Sequence, residues 1–268
     1  MNRTMGYLSA IILSICSLAF AEKITVAGST TVQPLAEKLA LAYESVVPGV
    51  TVEITGGGSS VGVTSVGNGS VDLGACSRDV TQAEFERFPG LEALCIARDG
   101  IAIIVGPDVS VTNLSKSQVR DIFTGDISNW SEVGGPDEAI VLVSREEGSG
   151  TRSAFENIVL ADAALISGAA VLQPSNGAVV TTVSTTPYSI GYVSFGYLNE
   201  SVTALSVNGV AATVENAQAA RYPIVRPLLL VAAGDASPLV QGWLDFIMSP
   251  AGQSIVEAEG YLPVGPVE

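Results

Sequence analysis

Lys23-Ile24-Thr25-Val26-Ala27-Gly28-Ser29-Thr30-Thr31 decides the fold class. A short β-rich run stops at a glycine and three hydroxyl residues, after which apolar residues recur at Val32, Leu35, Leu39, Ala42, Tyr43 and Val46 with helical spacing. The pattern predicts a strand, a polar loop and a helix. It returns at Val50 to Thr55, a strand ending in Gly56-Gly57-Gly58-Ser59-Ser60 before a helix-like stretch from Val61 to Asn68. Val71 to Ala75 is a third strand, leading into Cys76-Ser77-Arg78-Asp79 and then a capping box set by Thr81 and Glu84. Ile140 to Ser144 is a further strand. It ends in Arg145-Glu146-Glu147-Gly148-Ser149-Gly150-Thr151-Arg152, ahead of a helix that starts near Ser153.

The rest of the chain continues the alternation. Gly100 to Gly106 is apolar throughout, as a fully buried strand would be, and Ser115 to Thr124 reads as a helix capped by Ser115. Ile190 to Ser194 and Val225 to Ala232 are later strands, and Leu239 to Met248 and Gly252 to Glu259 are closing helices. Trp130 and Trp243 sit among apolar residues and are expected in the core. The class is α/β with mainly parallel pairing. Two segments suit crossings between lobes, the apolar run near 100–106 and Tyr222-Pro223-Ile224-Val225-Arg226-Pro227, and a double crossing makes a hinge. The expected lobes are 22–105 with 228–268, and 106–227.

Met1 to Arg3 is short and basic, Gly6 to Phe20 is apolar, and Ala19-Phe20-Ala21 is a small-x-small cleavage site. Residues 1–21 therefore read as a signal peptide, with the mature chain starting near Glu22 and acting outside the cytoplasm, in a periplasm or at the cell surface. Cys16 is preceded by the bulky Ile15, which argues against lipidation there. Removal of the signal leaves Cys76 and Cys95, which suit either a disulfide or two reduced buried thiols.

Composition excludes several functions. The net charge of −15 repels nucleic acid and anionic membranes. The chain has no histidine, which removes Ser-His-Asp triads and His-ligated zinc together. No phosphate-loop G-x-x-x-x-G-K-[ST] occurs, Gly56-Gly57-Gly58 lacks dinucleotide spacing, and Asp126, Asp137 and Glu138 form no calcium loop. No metal or cofactor is implied.

What remains is four Gly/Ser/Thr loops at the carboxyl ends of strands, each opening a helix. Helix N-termini offer unpaired N–H groups and partial positive charge, glycine permits close approach, and hydroxyls add donors without net charge. Arg78 and Arg145 add planar guanidinium forks suited to an oxyanion. In open α/β sheets such loops surround the ligand crevice.

Ala27-Gly28-Ser29-Thr30-Thr31, Gly58-Ser59-Ser60, Asp72-Leu73-Gly74-Ala75 with Ser77-Arg78, Ile122-Phe123-Thr124-Gly125 with Asn129-Trp130, Arg145 through Gly148-Ser149-Gly150-Thr151, Ile190-Gly191-Tyr192 and Gly260-Tyr261-Leu262-Pro263 carry a resemblance over nearly the whole mature chain. The chain resembles the PstS-like phosphate-binding components of ABC importers, type II periplasmic binding proteins. The resemblance implies two lobes closing on inorganic phosphate, a monomeric receptor that is not an enzyme, and delivery to membrane permease subunits. It implies a ligand set of Ser29, Thr30, Thr31, Ser59, Ser77, Arg78, Arg145, Ser149, Gly150 and Thr151, with Glu147 orienting Arg145. Some relatives carry an aspartate where Ser77 falls, to accept the proton of hydrogen phosphate; here Asp79 or Asp99 is the candidate, each equally suited to pairing with Arg78 or capping. Sulfate, molybdate and tungstate remain alternative ligands, and an exported phosphate-ester hydrolase is the rival from another class, lacking an evident base.

Overall fold

The computed structural model describes residues 22–106, 108–161 and 165–267. The predicted signal peptide and Cys16 lie outside the described residues. In chain order the elements are β1 (Glu22–Gly28), α1 (Val32–Val46), β2 (Val50–Thr55), α2 (Ser59–Gly67), β3 (Leu73–Cys76), α3 (Gln82–Arg87), β4 (Leu91–Val105), β5 (Asn113–Leu114) and α4 (Lys116–Thr124). There follow β6 (Val141–Arg145), α5 (Gly150–Phe155), β7 (Val171–Gln173), α6 (Asn176–Thr185), β8 (Ser189–Ser194), β9 (Thr203–Ala204), β10 (Ser206–Val207), α7 (Val214–Gln218), β11 (Val225–Ala233), α8 (Pro238–Met248) and α9 (Pro250–Ala258).

The main sheet runs β2-β1-β3-β11-β4-β8-β6-β7. Its flanks are parallel, β1 with β2 and β3 on one side and β6 with β7 and β8 on the other. The middle is antiparallel, so the sheet is mixed and the expected parallel pairing is confined to the flanks: β11 pairs β3 and β4, and β4 pairs β8. The reason is topological, since β4 carries the chain across the molecule and β11 brings it back. The crossing strand is also longer than the apolar run suggested. Its first part, Leu91 to Gly100, pairs with β11, and its second part, Ile101 to Val105, pairs with β8.

The apolar residues divide at the same place. One buried cluster draws on Ile24, Leu35, Leu39, Ile96, Ala97, Leu228 and Trp243; the other takes Ile101 to Val105, Phe123, Trp130, Phe155, Tyr192 and Ile224. Both tryptophans are therefore core, and Trp130 donates its indole N–H to Tyr188 O at 2.8 Å. On α1 the buried Val32, Leu35, Ala36, Leu39, Ala40 and Tyr43 form one face at helical spacing. Truncating a side chain such as Leu39 to alanine costs about 2–5 kcal/mol at sites of this kind. α2 approaches the ends of β1 and β3 so closely that a Cβ on Gly62 would lie 2.6 Å from Ala75 O and 2.8 Å from Ala27 O. A larger residue there would push the start of α2 away from the other loops.

Cys76 and Cys95 are free thiols. Both are register partners of Leu229, one on each side of β11, so they stand two strand spacings apart, about 10 Å, well beyond disulfide reach. They pack with Leu229 and Val231 as small apolar side chains, and burial pushes both thiol pKa values up. A chain beginning at Glu22, denatured without reductant, should therefore yield two titratable thiols, and the native protein should react slowly with thiol reagents. Finding no thiols until a reductant is added would contradict this arrangement.

Candidate functional site

Three loops from one side and two from the other meet at the carboxyl ends of their strands. The loop between β1 and α1 places Ser29 and Thr31 in the interior, both almost fully buried. Ser29 Oγ accepts the N–H groups of Thr31 at 3.2 Å and Val32 at 3.4 Å, holding the first turn of α1 against the strand end. Ser29 then donates to Ser77 Oγ at 2.9 Å, which ties the β1 loop to the β3 loop. Ser59, the first residue of α2, accepts Ser77 N–H at 3.0 Å and lies 3.4 Å from Ser77 Oγ.

From the opposite side comes the loop after β6. Ser149 caps α5 by accepting Arg152 N–H at 3.3 Å, and Gly150 and Thr151 form the helix start. Thr31 Oγ1 and Thr151 Oγ1 stand 3.1 Å apart across the cleft. Ser60 N–H donates to Gly148 O at 3.1 Å, a second direct link between the sides. Gly150 has no room for a side chain: its Cβ would fall 2.0 Å from Ser59 Oγ and 2.6 Å from Ser77 Oγ. Thr30 is half-buried at the rim, where its carbonyl accepts the Tyr197 hydroxyl at 2.7 Å.

Arg145 is buried at the end of β6. Its Nε donates to Gln173 O at 3.0 Å, and its Nη2 to Pro174 O and to Glu146 Oε1, both at 3.0 Å. The expected partner is therefore corrected: Glu146 holds Arg145, and Glu147 is exposed, because the turn before Gly148 directs the first carboxylate inward and the second to solvent. Tyr192 on β8 supports this end of the strand by accepting Arg145 N–H at 3.3 Å and bonding Ser144 Oγ at 2.8 Å. Burial pushes its phenol up to about 12, so it stays protonated.

Arg78 stands apart from the hydroxyl cluster. Its guanidinium is taken up by both oxygens of Glu84 at 2.7 and 2.8 Å, by Asp79 O at 2.8 Å and by Ser60 Oγ at 3.0 Å. It braces the start of α2 through Ser60, and a different arginine touches the hydroxyl cluster. Asp79 is exposed and faces no site hydroxyl.

That other arginine is Arg226 on β11, fully buried and outside the residues for which the sequence implied a ligand role. Nη1 donates to Ser77 Oγ at 3.3 Å and Ser77 O at 3.2 Å, and Nη2 to Thr31 Oγ1 at 3.1 Å. Nε and Nη2 also donate to Asp99 Oδ2 at 3.1 and 2.9 Å, while Asp99 Oδ1 accepts Phe195 N–H at 3.3 Å. Burial pushes Asp99 up and Arg226 down from their ordinary values, and their mutual attraction opposes both shifts. Asn176, the first residue of α6, completes the cluster by donating to Thr31 Oγ1 at 2.9 Å. It carries the signal of the other loops, a Ser-Asn pair opening a helix after a strand, but β7 has only three residues and the loop has no glycine run. Tyr261 of the Gly-Tyr-Leu-Pro motif donates to Thr31 O at 3.2 Å.

The cluster is thus rich in hydroxyl donors and guanidinium charge, and its carboxylate is already paired. Among the described residues no group of His, Cys, Asp and Glu could hold a metal ion, and no helix is long and apolar enough to cross a membrane.

Residues 18–251 match the model of the PBP superfamily domain. The phosphate-binding protein PstS of Borreliella burgdorferi is 33% identical over 269 residues, covering 96% of each chain. PstS of Bacillus subtilis is 35% identical over 248 residues, covering 90% of this chain and 80% of its own. Among solved structures, a Clostridium perfringens protein described as a phosphate ABC transporter substrate-binding protein, with phosphate bound, superposes with a TM-score of 0.87 at 38% identity, over 91% of this chain and all of its own. A phosphate transport receptor from Vibrio cholerae gives 0.75 at 30% identity, over 89% of this chain and 99% of its own.

The Arg78–Glu84 pair makes a pH-dependent contribution to stability. Burial alone would raise the Glu84 carboxyl, but its bonds to Arg78 and Thr81 together hold it below the ordinary 4.5. A depressed folded-state value stabilises the protein above the unfolded value, and the benefit is lost as pH falls through the folded one. Glu84→Gln should therefore cost about 1 kcal/mol near neutrality, given partial solvent screening. In chemical denaturation at a series of pH values the gap to wild type should close below 4.5; a gap constant with pH would contradict the pairing.

Proposed function

The chain belongs to the PBP superfamily and, within it, to the family of PstS phosphate-binding proteins, and from that premise we propose that it is an exported receptor that captures inorganic phosphate and delivers it to an ABC importer. The observation that carries the reading is the meeting of Thr31 and Thr151 across the cleft, 3.1 Å apart, within a buried set of hydroxyls backed by arginine. The lobes are 22–100 with 228–268, and 101–227, hinged where β4 and β11 cross; the boundary expected at 105 moves to 100 because Ile101 to Val105 pair with β8 and pack in the second apolar cluster. Ser29, Thr31, Ser59 and Ser77 line one wall and Arg145, Ser149, Gly150 and Thr151 the other, with Thr30 at the rim. Arg78 belongs to the support of this site, through Ser60, and Arg226 supplies the charge at its floor.

A tetrahedral anion suits such a cleft because hydroxyls and helix-start N–H groups converge from several directions, and closure removes water from their contacts. The protein acts as a monomer, and its closed form is what the permease subunits read. It works as a receptor and not as an enzyme: Asp99 is committed to Arg226 and the Phe195 N–H, which leaves the hydroxyls without a base to activate them.

Calorimetric titration of the chain from Glu22 onward, stripped of bound anion, should show one phosphate per protein. Thr151→Val and Ser59→Ala should each weaken binding by about tenfold or more, the worth of one hydrogen bond to a charged group. Gly150→Ala should abolish binding, since its methyl group would occupy the position of the Ser59 hydroxyl. Tight binding of molybdate, tungstate or sulfate with none of phosphate would move the protein to another oxyanion importer, and failure of all four would refute the reading.

A further inference from the structure

A hydroxyl oxygen has two lone pairs and one proton to share. At Thr31 both lone pairs face groups that only donate, Asn176 Nδ2 at 2.9 Å and Arg226 Nη2 at 3.1 Å. The amide orientation is set at its other end, where Asn176 Oδ1 accepts Ser194 N–H at 3.3 Å. Thr31 therefore has only its proton to offer, and it points toward Thr151 Oγ1. The same count applies at Ser77, whose oxygen accepts from Ser29 Oγ at 2.9 Å and from Arg226 Nη1 at 3.3 Å. Ser29 cannot reverse its bond, because its own oxygen already accepts two backbone N–H groups. The Ser77 proton is directed at Ser59 Oγ. Two donor chains thus leave one guanidinium and end at Thr151 and Ser59, which come from opposite walls of the cleft.

We propose that Arg226, held in place by Asp99, is a positioning residue that turns the Thr31 and Ser77 hydroxyls into one-way donors, so that the cleft selects its oxyanion by charge and acceptor strength and not by accepting a proton from it. This rests on the reading of the cleft as a phosphate site and deepens it. A guanidinium suits the role because it never accepts a hydrogen bond and its planar fork reaches both hydroxyls at once. Asp99 is the anchor: Oδ2 takes two guanidinium N–H groups and Oδ1 takes Phe195 N–H, the Ser194 hydroxyl lies beside the carboxylate, and neither oxygen bonds Ser29, Thr31, Ser59, Ser77 or Thr151. In this proposal its role is to hold the guanidinium and not to accept the ligand's proton.

The test is titration of the chain from Glu22 onward with phosphate and with sulfate, which has no proton to give, under one buffer and salt. Wild-type protein is expected to prefer phosphate by less than about a thousandfold; a larger preference, of the 10⁴ to 10⁵ order that a site built around an unpaired partner imposes, would overturn the proposal. Asp99→Asn separates the two roles open to that carboxylate. An anchor leaves the phosphate-to-sulfate ratio in place or moves it toward phosphate, whereas a proton acceptor would, when lost, move it toward sulfate.

A double variant guards against misfolding, because replacing both members of a buried ion pair by apolar residues is commonly tolerated. In Arg226→Met with Asp99→Leu, Thr31 and Ser77 each regain a lone pair able to accept the ligand's proton. Phosphate binding should weaken by about tenfold and sulfate binding by about tenfold more, a loss of one and then two charge-assisted contacts. Equal weakening of both anions would indicate a purely structural pair and refute the proposal. Failure of the wild type to bind either anion would instead count against the phosphate reading itself, and the proposal would fall with it.

Discussion

Arg226 and Asp99 face each other at the point where the chain passes between its two halves, on β11 and β4, and both are fully buried. Removing two charges from water costs several kcal/mol per ion, so such a pair persists only where hydrogen bonds satisfy what remains of each group. Here they do. The carboxylate is completed by Phe195 N–H from beyond β8, and the guanidinium by Ser77 and Thr31 from the loops after β3 and β1. The antiparallel centre of the sheet, the loops at its strand ends and the cleft between the halves all converge on this one contact.

The surrounding loops are built so that polarity increases toward that point without isolated charges. Helix starts deliver hydroxyls, and the other arginines of these loops are each paired with a nearby glutamate, Arg78 with Glu84, Arg145 with Glu146 and Arg152 with Glu156. A chain with strongly acidic net charge can in this way hold an anion, because the field that matters acts over a few ångströms and the average charge is screened over about 8–10 Å of salt solution. Close packing sets the geometry. With Gly150 against Ser59 and Gly62 against Ala27 and Ala75, the loops cannot drift by even a methyl group without separating their donors.

A hydroxyl-lined cleft with its carboxylate already paired differs in kind from one in which a carboxylate meets the ligand. In the second case a proton on the ligand is required; in the first it is left without a partner. Which of the two a receptor uses depends less on the residues at the ends of its loops than on what lies one layer behind them.

The local pattern of the chain alone determined much of this protein. Strand–loop–helix units with Gly, Ser and Thr at the turn are legible because backbone propensity, capping and hydrophobic period act over a few residues, and the fold brings the Ser29, Thr31, Ser59, Ser77, Ser149, Gly150 and Thr151 of those turns together. The capping box at Thr81 and the helix cap at Ser115 were legible for the same reason. Tertiary structure decided the rest. Arg78 and Arg226 are both arginines beside apolar strands, and nothing local distinguishes the one that pairs with a surface-proximal glutamate from the one that reaches the floor of the cleft. Likewise Cys76 and Cys95 are held apart only because β11 runs between them, with Leu229 in register with both. Such choices depend on contacts between residues more than a hundred positions apart, as Arg226 is from Asp99, and no local physical preference encodes them.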